Sequence, residues 1–96
     1  LLMVVIFENT ELKKVVHTKA ENTEEVYMQV IAEKFSYEKR LIVKELQKML
    51  GKEVAMYKFN DSWIIRIPLQ EKYNHNVSCF KNKSNSIVFI INILDL

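Results

Sequence analysis

Gly51 is the single glycine of the chain, and the spacing of apolar residues changes period at that point. Ahead of it, apolar side chains recur three and four residues apart, as on one face of a helix. Behind it they alternate with polar ones, as on a half-buried strand. A chain that switches period in this way is expected to combine helix and sheet in one core.

The helical segment divides into two pieces. Asn22-Thr23-Glu24-Glu25 has the form of a capping box, with acidic residues where the helix dipole favours them. Val26, Tyr27, Val30, Ile31 and Phe35 then make an apolar stripe at helical spacing. Ser36 is placed to cap a second helix carried by Leu41, Ile42, Leu46, Met49 and Leu50; one helix kinked near Ser36 fits the same residues. Lys48 and Lys52 beside Gly51 suit a helix C-terminus.

Beyond Gly51, Ala55, Tyr57 and Phe59 fall on one face of a strand and Val54, Met56 and Lys58 on the other. Asn60-Asp61 predicts a two-residue hairpin turn, after which Trp63, Ile65 and Ile67 share a face opposite Ile64 and Arg66. Pro68 ends that strand, because proline donates no ladder hydrogen bond. A second hairpin is predicted from Asn76–Phe80 and Ser86–Leu94, joined through Lys81-Asn82-Lys83-Ser84-Asn85. Two more strands are expected at Leu2–Phe7 and Leu12–Thr18. The resulting fold class is α+β: an antiparallel sheet of about six strands in the order β-β-α(α)-β-β-β-β, with one kinked helix or a helix pair packed on one face.

At 96 residues, 49% hydrophobic and 27% charged, the chain is expected to form one domain spanning 1–96. It begins on Leu rather than Met, as expected after trimming at the N-terminus. The opening apolar run lacks a basic leader and falls short of a membrane span, so it reads as a buried strand. A lone cysteine, Cys79, excludes an intramolecular disulfide and points to a reducing, cytoplasmic setting. Lysine, isoleucine and asparagine are abundant while glycine, proline and arginine are scarce, the bias of AT-rich coding in bacteria, phages or mobile elements.

Few residues carry chemistry. His17 and His75 are the only histidines and stand far apart, so no metal site is expected, and one glycine leaves no phosphate loop and no cofactor signature. Fourteen basic against twelve acidic residues give a net charge of +2, well below that of a committed nucleic-acid binder. Arg66 stands out inside the apolar run Trp63-Ile64-Ile65-Arg66-Ile67 as one of two arginines in the chain. It reads as a solvent-face arginine or as a phosphate contact with Lys58 nearby.

In the order of its elements, the stretch through Tyr57-Lys58-Phe59-Asn60-Asp61-Ser62-Trp63-Ile64-Ile65-Arg66-Ile67 resembles the RelE-type toxins, small ribosome-associated ribonucleases. That resemblance covers the last two thirds of the chain and implies a basic sheet surface for RNA, with Lys58, Arg66, His75 and Lys81 as the cleavage set. No family motif matches residue by residue, and the N-terminal hairpin departs from the pattern. A sheet curled on a helix is also similar to cystatin-like folds, and the hairpin after a helix pair to winged-helix domains. General nucleic-acid binding would use Trp63, Tyr57 and Phe80 with interleaved lysines.

The strand Ile87–Leu94 is apolar on both faces, which suits either a central sheet position or contact with another chain. The function expected first is therefore protein binding or assembly rather than catalysis, of the inhibitor, immunity, antitoxin or accessory-subunit kind. Phe89, Ile91, Ile93 and Trp63 are its contact residues, and a protein partner or a second copy of the chain is the occupant.

Overall fold

A computed structural model describes residues 1–8, 10–19, 25–35, 39–69 and 75–94. Seven strands and one helix follow in the order β1 (Leu2–Phe7), β2 (Thr10–Lys19), β3 (Val26–Phe35), α1 (Lys39–Leu50), β4 (Ala55–Phe59), β5 (Ser62–Pro68), β6 (His75–Lys81) and β7 (Ile87–Ile93). They form two antiparallel sheets rather than one: a three-stranded sheet ordered β1-β7-β6 and a four-stranded sheet ordered β2-β3-β5-β4.

The main correction concerns Val26–Phe35, expected as helix and found as strand. The stripe Val26, Tyr27, Val30, Ile31, Phe35 satisfies helical spacing, but Met28, Val30 and Ala32 satisfy strand alternation equally well, and these three are fully buried. Branched Val26, Val30 and Ile31 favour the extended backbone. Partners on both sides then decide the matter: Val30 faces Val15 on β2 and Ile65 on β5. The expected helix pair is thus the single helix α1. The Asn22 to Glu24 part of the capping box and the break at Ser36 lie outside the described residues.

Because β3 and β4 both run antiparallel to β5, they are parallel to each other. Parallel strands need a crossover, and α1 supplies it. Its residues Ile42, Leu46 and Leu50, spaced by one turn, are buried in the same core as Met28, Val30, Ile65 and Ile67. Gly51 ends the helix at φ +99°, with its N–H donating to the Gln47 carbonyl at 2.9 Å. The expected hairpin turn is present: Asn60 (φ 48°) and Asp61 (φ 61°) join Phe59 to Ser62 in the left-handed conformations of a type I′ turn.

The inner face of the four-stranded sheet is shared between two covers. Helix α1 sits against β4, and the three-stranded sheet abuts β2 through β6 and β7. Phe89, Ile87 and Ile91 bring the three-stranded sheet into the common core, where Phe89 meets Phe7 edge-on, ring centroids 6.1 Å apart. Thr10 is fully buried where the chain passes from β1 to β2, its hydroxyl donating to the Phe7 carbonyl and its N–H to the Asn85 carbonyl. The β6–β7 turn is closed by Asn82, whose side-chain oxygen accepts from the N–H groups of Ser84 and Ser86, both at 3.0 Å.

Candidate interaction surface

Strand β7 is the centre of its sheet, and its two faces have different fates. Ile87, Phe89 and Ile91 point into the core, whereas Val88, Ile90 and Asn92 point outward. The register sets Leu2, Val4 and Ile6 of β1 on that outward face, beside Asn92, Ile90 and Val88. Phe80 and Ser78 of β6 complete it on the other side. Leu2, Val4 and Ile6 are 64%, 56% and 54% exposed. None of the residues that these three strands present on the outer face carries a charge.

The edge of β1 adds backbone groups to the same surface. Leu1 and Ile93 exchange both N–H···O bonds, at 2.9 and 2.8 Å. In an antiparallel ladder such pairs alternate with pairs that do not bond each other. Leu2, Val4 and Ile6 therefore turn their N–H and C=O groups away from β7, toward an edge with which no described strand pairs.

The other described edges carry features that keep edge strands from pairing with a copy of themselves. Charged Glu11, Lys13, Lys14 and Lys19 line β2, together with register shifts between Glu11 and Lys14. Strand β4 is five residues long and carries Lys58, and β6 carries Lys81 with polar Asn76 and Ser78. Strand β1, Leu-Met-Val-Val-Ile-Phe, is the described edge without a charged or polar side chain.

The outer face of the four-stranded sheet is exposed as well, but its polar groups engage one another. The Arg66 guanidinium lies 3.6 Å from the centre of the Tyr27 ring, and Gln29 donates to the Tyr57 hydroxyl at 3.2 Å. Lys13 donates to Ser62 at 3.0 Å and pairs with Glu33 at 3.5 Å. The Tyr27 hydroxyl donates to the Glu25 carboxylate; that bond, with some desolvation, raises the Tyr27 pKa against the opposing pull of Arg66.

The four residues of the ribonuclease reading are not brought together. Arg66 pairs with Ala55 on the outer face, while Lys58 pairs with Trp63 on the inner one, its ammonium 5.8 Å from the indole centre. His75 and Lys81 occupy opposite ends of β6, roughly 20 Å apart along the strand. His75 faces inward, and burial holds its pKa below the ordinary value of 6.5. Trp63, Tyr57 and Phe80 likewise belong to three different faces.

Of the residues expected to make protein contacts, Phe89 and Ile91 lie fully in the core, and Ile93 and Trp63 pack against it half-buried. The outward set on the same strand, Val88 and Ile90 with Leu2, Val4 and Ile6 of β1, was not singled out by sequence reasoning, and Phe80 beside them was expected only as a nucleic-acid contact. The signal for it was the unbroken apolar run of β1, expected as a buried strand but found as a sheet edge with Leu2, Val4 and Ile6 exposed, because β7 covers one edge of it and the core only one face. Burial pushes the Cys79 thiol up to about 12, so it packs as an apolar group rather than a nucleophile. Among the described residues, no group of three or more His, Cys, Asp or Glu is placed to hold a metal ion, and no helix is long and apolar enough to cross a membrane. Comparison with protein-family models, with curated proteins and with solved structures gives no match.

Proposed function

We propose that this chain is a protein-binding and assembly module, and that its first partner is a second copy of itself, joined through β1. The observation behind the reading is the coincidence at Leu2, Val4 and Ile6 of exposed apolar side chains with outward-turned backbone groups. Antiparallel pairing of β1 with its own copy across a two-fold axis would turn two three-stranded sheets into one of six. It would also set the apolar rows edge to edge in an isologous contact. Like charges cannot oppose this pairing, because β1 carries none. Its setting in this reading is a reducing one, the cytoplasm, where the lone Cys79 thiol persists.

Light scattering on the purified chain at low and high salt tests the proposal. Twice the 11.4 kDa monomer mass is expected at both salts, with no co-purifying nucleic acid. Val4→Lys places an ammonium on the edge and is expected to return the monomer with an unchanged circular dichroism spectrum. A wild-type monomer that sheds RNA as salt rises would overturn the assembly reading in favour of nucleic-acid binding.

A further inference from the structure

A second surface lies on the opposite side of the molecule's chemistry, between α1 and the free edge of β4. A groove of about 550 Å³ opens there, in the size range of ligand clefts. Its floor is apolar, with Val43, Val54, Met56 and Trp63; its rim carries Arg40, Lys44 and Lys52, and no described lining residue is acidic. Lys58 adds a further cation above the Trp63 ring. In a chain with twelve acidic residues, a groove whose charged described lining is Arg40, Lys44 and Lys52 favours an anionic occupant.

Backbone geometry specifies the shape of that occupant. A two-residue turn closes on a hydrogen-bonded pair, here Phe59 with Ser62. Alternation then makes Tyr57–Ile64 and Ala55–Arg66 bonded pairs, and turns the N–H and C=O groups of Met56 and Lys58 outward. No described strand takes them up. Two residues before Met56, the Val54 carbonyl, which points outward by the same alternation, accepts from the Gln47 side chain of α1 at 3.0 Å. The helix therefore lies along the start of this edge, and the groove continues where Met56 and Lys58 offer open ladder positions.

We infer that this groove binds an extended acidic peptide, which adds as a strand to β4 through Met56 and Lys58 and seats one apolar side chain on the Met56–Trp63 floor. In a strand, residues two apart share a face. A peptide with acidic residues two positions before and after an apolar one thus directs both carboxylates toward the rim while the apolar side chain enters the groove. The occupant belongs to a protein partner, and the site is separate from the β1 edge, so either can fail without the other.

Trp63 is the only tryptophan, which makes its fluorescence a report on this groove alone. The probe is the blocked peptide acetyl-Glu-Thr-Leu-Thr-Glu-amide, titrated into the wild-type chain, with its lysine counterpart acetyl-Lys-Thr-Leu-Thr-Lys-amide as control. A saturable change with the acidic peptide and none with the basic one is expected, and amide exchange at Met56 and Lys58 should slow in the complex. Lys44→Glu, on the solvent-exposed side of α1, should weaken binding about tenfold or more with the circular dichroism spectrum unchanged. Absence of saturation, equal response to both peptides, or binding that leaves the Met56 and Lys58 amides unprotected would each overturn the inference. Tighter binding of an eight-residue oligothymidylate than of the peptide would overturn it too, and reassign the groove to nucleic acid.

Discussion

The two sheets expose outer faces of comparable standing that are built on opposite principles. On the four-stranded sheet, Arg66 covers Tyr27, Gln29 engages Tyr57, and Lys13 bridges Ser62 and Glu33, so side chains of this face satisfy one another. On the three-stranded sheet, the face from Leu2 to Phe80 is apolar apart from Asn76 and Asn92 at one end and Ser78 beside Ile90, and the β1 edge has no charged side chain. Exposure alone does not separate them: Phe59 on the first face is 60% exposed and Val4 on the second 56%. What separates them is whether neighbouring groups use up their bonding capacity. A surface that does is finished as it stands, while one that does not leaves apolar area and backbone groups open to solvent.

That contrast is open to attack, most forcefully within β7, where one strand serves both the core and the outer face. Phe89→Ala is expected to destabilise the fold by about 3–5 kcal/mol, since the ring is fully buried against Phe7. Ile90→Ala, one residue along and facing out, should cost about 1 kcal/mol in urea unfolding while weakening self-association. Similar losses at both positions would mean that the outer face is as much core as the inner one.

The four-stranded face should respond less. Arg66→Ala is expected to remove about 0.5–1 kcal/mol of stability by breaking the stack on Tyr27, with no change of mass in light scattering. A drop to monomer in that variant would move the assembly surface to the wrong sheet.

The smallest effect is a pH dependence arising inside the three-stranded sheet. His75 is buried with its pKa below 6.5, so the unfolded chain takes up a proton as pH falls through about 6.5 while the folded chain does so only at lower pH. Stability is therefore complete above that value and declines as pH drops below it. Urea midpoints measured from pH 7.5 to 5 should fall, and His75→Leu should flatten that fall.

Much of the architecture was legible in the residues. The Asn60-Asp61 turn, the facing of Trp63, Ile65 and Ile67 against Ile64 and Arg66, and the stop at Gly51 all follow from local chemistry that the fold leaves intact. Val26–Phe35 was not legible, because ten residues with apolar side chains at both spacings fit either period, and the strands that decide between them lie elsewhere in the chain. The division into two sheets was hidden for a related reason: it depends on Leu2 pairing with Asn92, a partner that no local pattern announces. The surface suffered most from this. Ile87–Ile93 could be recognised as apolar on both faces, but which face met the core depended on where the second sheet lay.

The pairing of β1 with β7 also has a temporal side. The first described strand finds its neighbour only when the last described strand has been made, so the three-stranded sheet closes by joining segments from the two ends of the described chain. Until then Leu2–Phe7 is an apolar segment with neither of its edges taken. During synthesis the same strand that would join two finished molecules is thus the one most exposed to misdirected contacts, and its safety depends on how quickly the β6–β7 hairpin arrives to receive it.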